Sequence, residues 1–165
     1  MKQSPFALVL LGVLLAAASL AGQRGEDIGV TQAFRRLDQP DTYLVDVRTV
    51  AEYVYVGHPE NAYNIPLVFW DEPNLQTVAN EDFVDDVKAR FKPGDILILI
   101  CRSGSRSAHA QRMLRRSGFE QVFNIREGFE GQKDQNGHRT VDGWKNEGLP
   151  YTYELDPSLL HRPKK

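Results

Sequence analysis

At 165 residues, 41% hydrophobic and 25% charged, the chain has the composition of one ordinary globular domain, which excludes a disordered, collagenous or multi-domain protein. Twenty Lys and Arg stand against 22 Asp and Glu, a net charge of −2, so no global basic field exists to hold nucleic acid. The single cysteine, Cys101, excludes an internal disulfide framework and a cysteine-rich zinc site, and leaves one thiol to explain.

Residues 6–18 are an apolar run that would reach about 20 Å as a helix, short of the roughly 30 Å hydrocarbon core of a bilayer. Ser19-Leu20-Ala21-Gly22 follows with small residues, so 1–21 reads as a secretory signal peptide cleaved after Ala21, with an uncleaved anchor as the alternative. No cysteine follows those small residues, which excludes lipid attachment there. The expectation is a periplasmic or secreted protein with no stable membrane insertion after cleavage. One domain over 22–155 and a flexible tail over 156–165 complete the division.

Thr31 is placed to cap a short helix over 32–37, which Pro40 stops. A strand over 43–47, a helix over 50–56 closed by Gly57, and a brief strand over 62–65 stopped by Pro66 follow. Asn80 opens a helix to about Phe91, with Glu81 and Asp82 in its first turn and Lys88 and Arg90 in its last, the order a helix dipole favours. Residues 95–100, apolar without alternation from Ile96 on, have the pattern of a strand buried on both faces of a parallel sheet. A helix over 107–117 ending at Gly118 and a strand over 122–125 precede a loop-rich excursion over 126–143. Strands alternating with helices indicate an α/β three-layer sandwich around a mostly parallel central sheet.

Cys101 stands at the carboxyl end of the buried strand, where open α/β sheets gather ligands. The turn Cys101-Arg102-Ser103-Gly104-Ser105-Arg106 feeds a helix, whose first N–H groups lack intrahelical partners and can converge on an anion. Those donors, with the guanidinium groups of Arg102 and Arg106, favour an ionised sulfur, so Cys101 is the candidate nucleophile and 102–106 the candidate substrate loop. His109, Arg112, Arg115 and Arg116 add positive charge behind it, and an anionic substrate is expected. The competing reading, an inert buried cysteine, does not call for convergent donors.

With these residues in view, the chain resembles the rhodanese family of sulfurtransferases over roughly 31–150. Leu44-Val45-Asp46-Val47-Arg48 with Glu52-Tyr53 resembles the family's Asp-Val-Arg signature. Gly57-His58 through Ala62, Asn64, Ile65 and Pro66 resembles its second signature, and 101–106 its active loop. The stretch 126–131 and Trp144 with Gly148-Leu149-Pro150 resemble its closing segment. The resemblance implies a ping-pong cycle: Cys101 takes sulfane sulfur from a small anionic donor such as thiosulfate, becomes a persulfide, and passes the sulfur to cyanide or a thiol, including a protein sulfur acceptor. No cofactor and no metal is implied. Pro59 and Asn61 depart from the second signature, though Asn tolerates positive φ and the turn can survive. An insertion over 132–143 contains Asp134-Gln135-Asn136-Gly137, read as a turn rather than a calcium loop because further ligands are missing. It is a candidate wall of the pocket.

Asp46 and Arg48 point to one side of a strand end and read as a structural pair. His58 reads as structural, and Phe69 and Trp70 as core or lid residues. A cysteine phosphatase or arsenate reductase is the rival enzyme, but its loop sets five residues between Cys and Arg where this chain has four. A persulfide relay module without free turnover is the rival binding function. A redox sensor lacks a second cysteine to resolve it.

Overall fold

A computed structural model of the chain describes residues 26–162. The expected signal peptide over 1–21 lies outside the described residues. In chain order the elements are β1 (Asp27–Ile28), α1 (Val30–Arg36), β2 (Thr42–Asp46), α2 (Val50–Val56), β3 (His58–Pro59), β4 (Tyr63–Asn64), β5 (Val68–Asp71), β6 (Gln76–Ala79), α3 (Phe83–Lys88), β7 (Ile96–Ile100), α4 (Ser105–Arg116), β8 (Gln121–Ile125), β9 (Gln132–Lys133), β10 (Arg139–Val141) and β11 (Tyr151–Thr152). Five strands form one sheet in the order β1-β8-β7-β2-β4, and every pairing within it is parallel.

The pleat explains the core. Along β7, Leu97 and Leu99 join the cluster under α3 and α4, with Phe83, Val87, Ala110 and Leu114. Ile98 and Ile100 join the cluster on the other face, with Ala33 of α1, Tyr53 of α2, Phe129 and Trp144. A strand clamped between two helical layers has no polar face, and its unbroken Ile and Leu run follows from that. The same period of two carries Cys101 onto the α3/α4 face, where its side chain packs within that cluster.

Several local expectations are corrected. Gly29, not Thr31, precedes α1, and no side chain caps it. Asn80 does not open a helix; its side chain donates to Pro66 O and to Asp86, and accepts from Asp82 N. This side chain pins the turn, so α3 starts only at Phe83, with Asp85 and Asp86 as its first-turn acids. Helix α4 begins two residues earlier than expected, at Ser105. The structure adds an antiparallel hairpin, β5–β6, which turns through Pro73-Asn74 and a left-handed Leu75. Trp70 on this hairpin is 53% exposed, which removes it from the core, whereas half-buried Phe69 meets the ring of His161.

The described part of the expected flexible tail makes defined contacts instead. Asn64 N donates to Leu159 O, Arg90 donates to Ser158 O, and Leu160 packs against the α1/α2 cluster. The first of these bonds satisfies a backbone N–H on the free edge of β4, which a frayed segment would leave open. Asn61 adopts the left-handed conformation expected of it, at φ 58°. Among the described residues no helix is long and apolar enough to cross a membrane.

Candidate active site

Beyond β7 the chain leaves the sheet at Cys101 and turns into α4. Gly104 makes this turn possible: it sits at φ 91°, and a Cβ there would lie 2.0 Å from Arg126 O, so any larger residue collides with backbone. From the other side, a Cβ on Gly128 would lie 2.6 Å from the backbone of Arg102 and Ser103. Phe129 N donates to Cys101 O and Glu130 N to Arg102 O, at 2.8 and 3.0 Å. The segment 126–130 therefore braces the loop from behind, and the loop carbonyls are satisfied there rather than facing the sulfur.

Cys101 is only 1% exposed, and two donors reach its sulfur. Gly104 N–H and Ser107 O–H each donate to Sγ at 3.2 Å. Ser107 also lies 3.1 Å from Gly104 O. A hydroxyl has one hydrogen, so it serves the carbonyl or the sulfur but not both at once, and a negative sulfur attracts it more strongly. Gly104 O keeps a partner in either case, because Ala108 N donates to it.

The loop residues separate into distinct roles. Arg102 and Ser105 are exposed, and Ser103 is half-buried with its carbonyl accepting from Gln132 Nε2. Arg106 corrects the expectation of two guanidinium groups directed at the sulfur. Its two terminal nitrogens donate to the carboxylate of Glu52, at 2.7 and 2.6 Å. Burial opposes the charge of Arg106, but the hydrogen bonds and charge of Glu52, with the nearby Cys101 sulfur, hold its pKa above the ordinary arginine value. Burial likewise opposes the charge of Glu52, yet the hydrogen bonds and charge of Arg106 and the bonds from Thr49 bring its pKa down to about 2. Arg102 is thus the loop cation whose charge is not committed to this pair.

Glu52 and Ser107 are the residues that sequence reasoning did not place in the site. Thr49-x-x-Glu52 has the spacing of a capping box, and both reciprocal bonds form at the start of α2. Nothing in that spacing announces a partner in α4, 54 positions away. Ser107 had a signal: side chains of a helix lean toward its N-terminus, so a serine in the first turn after Cys101 points back at the loop.

The flanking polar residues serve the framework. The Asp46 carboxylate accepts from Arg48 Nε and from its terminal nitrogen at 2.5 Å, with both side chains fully buried. Arg48 also donates to Gly57 O and lies over the Phe129 ring. His58 stacks on Tyr53 and its Nδ1 is 3.1 Å from Tyr53 O; burial lowers its pKa. In the 132–143 insertion, β9 and β10 pair, and Asp134 accepts from Asn136 N, His138 N and Thr140 Oγ1, so its carboxylate is spent on a turn. No cluster of three or more metal-ligating side chains occurs among the described residues. Through Gln132 the insertion does touch the active loop.

Clefts of about 520 and 560 Å³ lie elsewhere, the second lined by Phe34, Tyr43, Tyr63 and Trp144. Neither is lined by Cys101; the donors around the sulfur define the candidate site.

A family model described as the rhodanese-like domain matches residues 30–135. An uncharacterized protein of Rickettsia conorii is 32% identical over 133 residues, covering 78% of this chain and 98% of that protein. Thiosulfate sulfurtransferase 18 of Arabidopsis thaliana is 29% identical over 113 residues, covering 68% of this chain and 82% of its own. The crystal structure of Rv0390 from M. tuberculosis is 32% identical with a TM-score of 0.71, covering 79% of this chain and 99% of that one.

Proposed function

Because the chain belongs to the rhodanese-like domain family, whose sulfurtransferase members frame its chemistry, we propose that it is a thiosulfate sulfurtransferase working through a Cys101 persulfide. The observation that carries this reading is the sulfur of Cys101 at the end of β7, held between Gly104 N–H and Ser107 O–H.

In the first half-reaction the Cys101 thiolate attacks the outer sulfur of thiosulfate. A sulfur–sulfur bond forms on the protein, the bond to the sulfonate breaks, and sulfite leaves with the electron pair. In the second, cyanide or a thiolate attacks the outer sulfur of the persulfide, and Cys101 departs as thiolate. A thiolate is required both times, as nucleophile and as leaving group. Gly104 N–H and Ser107 O–H stabilise that negative sulfur, and Arg102 at the exposed rim attracts the anionic donor. Gly104 and Ser103 shape the loop, Ser105 starts α4, and Arg106 is fixed by Glu52.

The Arg106–Glu52 pair favours this chemistry over ester hydrolysis by a cysteine phosphatase, which needs its loop arginine to clamp a tetrahedral oxyanion above the sulfur. We place the activity outside the cytoplasm, on the strength of the apolar 6–18 stretch and the small residues after it.

Steady-state assay with thiosulfate and cyanide tests the reading. Thiocyanate production by the natural chain and its loss in Cys101→Ser are expected. Persulfide formation with no turnover would favour the relay function, and hydrolysis of aryl phosphate without sulfur transfer would overturn the proposal.

A further inference from the structure

Helix α4 carries four arginines, one histidine and no acid, on a chain of net charge −2. Ser105, His109, Arg112 and Arg116 are all exposed. At 100° per residue they fall within about 60° of one another, opposite the buried Ala110 and Leu114. They form one stripe, roughly 17 Å long at 1.5 Å per residue, whose near end adjoins exposed Arg102 beside Cys101. The helix dipole rewards Arg116 in the last turn, but it does nothing for Arg112 and His109. Arg112 and Arg116, four residues apart, repel each other, and no acid on the helix compensates them.

The other helix on this face is acidic at its start, with its bases, Lys88 and then Arg90, at the far end. Glu81 and Asp85 are exposed around α3, and Glu72 is exposed in the turn of β5–β6. The helical layer on this sheet face is therefore divided, basic along α4 and acidic at the start of α3 and in the hairpin before it.

We propose that the α4 stripe is the docking surface for an acidic protein whose cysteine thiolate is the sulfur acceptor. This deepens the function proposed above and rests on it. The acidic side repels such a partner and the basic side attracts it, so charge fixes its orientation as well as its approach. Persulfide formation extends the reactive sulfur about 2 Å beyond Cys101 Sγ, one sulfur–sulfur bond, which shortens the reach required of the docked thiolate. The partner's thiolate attacks the outer sulfur of the protonated persulfide. The bond to Cys101 breaks, Cys101 leaves as thiolate, and the partner carries away the sulfur with its proton. The stripe is one helix wide on a net acidic protein, which favours a protein partner over a nucleic acid.

The test uses full-length protein loaded with sulfur from thiosulfate and two synthetic cysteine peptides, one flanked by Asp and Glu and the other by Lys. Transfer is followed by the mass of the peptides. The acidic peptide is expected to accept sulfur roughly tenfold or more faster at low salt. That ratio should collapse as ionic strength rises from about 0.01 to about 1 M, which shortens the screening length from about 30 to about 3 Å. It should also fall to one or below in R112E/R116E, checked for intact persulfide loading. Equal rates for the two peptides, or a ratio unchanged in R112E/R116E, would overturn the surface. If Cys101 fails to load, the function proposed above fails instead, and fluorescence anisotropy of the acidic peptide with serine for cysteine then decides. Salt-sensitive binding lost in R112E/R116E upholds the surface, and no binding, or tighter binding of an RNA oligonucleotide, overturns it.

Discussion

Removing the Ser107 hydroxyl separates the two half-reactions. Ser107→Ala deletes one of the two donors to Cys101 Sγ but leaves the fold nearly untouched, because Gly104 O still accepts from Ala108 N. A hydrogen bond to a full negative charge contributes roughly 1.5 to 3 kcal/mol, and the 3.2 Å contact to a diffuse sulfur belongs at the lower end. In the transfer-out step Sγ gains charge as the leaving group. With about half of the charge developed in the transition state, as sulfur exchange generally shows, the loss is about 0.7 kcal/mol, or threefold. Full development would give about tenfold. In the loading step Sγ gives up charge, so its donors favour the ground state and their loss does not slow the attack itself. Single-turnover mixing of preloaded Ser107→Ala with cyanide should show the persulfide discharging between three and ten times more slowly. Loading of the same variant at a pH that fully ionises the thiol should be as fast as natural or faster. A discharge rate equal to that of the natural chain, or a slowdown confined to loading, would refute the assignment of Ser107 as a leaving-group donor.

Gly104→Ala places a Cβ 2.0 Å from Arg126 O at φ 91°, so it should cost several kcal/mol by denaturant unfolding and abolish sulfur transfer. Glu52→Gln keeps the capping geometry, since Gln serves a capping box as well, but it removes the charge that Arg106 faces. At 22% side-chain exposure on each partner, the expected loss is about 1 kcal/mol after allowance for solvent screening. The pH dependence has a fixed sign. The pKa of Glu52 is depressed to about 2 in the fold, so its stabilisation is complete above the ordinary carboxylate range and is lost as pH falls from about 4.5 toward 2. Unfolding curves across that window should flatten in Glu52→Gln relative to the natural chain; parallel curves would contradict the pairing.

What the sequence disclosed and what it withheld divide along physical lines. The apolar run of β7, the position of Cys101 at its end and the helix over Val50–Val56 closed by Gly57 were legible, because each is set by local pattern. The start of α3 was not, because the Asn80 side chain satisfies Pro66 O and Asp82 N in the turn and delays the helix. The β5–β6 hairpin was missed because its strands stand largely outside the core, where burial imposes no clear alternation. The commitment of Arg106 to Glu52 joins α2 to α4 across 54 positions, a distance that no local rule spans. The docked stretch from Asp156 to Leu160 is similar: its polar composition suggests fraying, while its backbone completes bonds with Asn64 and Arg90.

The most direct measurement follows the outer sulfur of isotopically labelled thiosulfate. Intact-protein mass should rise by one labelled sulfur atom on Cys101, and cyanide should then return the natural mass and carry the label away as thiocyanate, while the sulfite remains unlabelled. A protein that gains a sulfonate group instead, or one that never acquires the label while its thiol still reacts with an alkylating agent, would contradict transfer through Cys101.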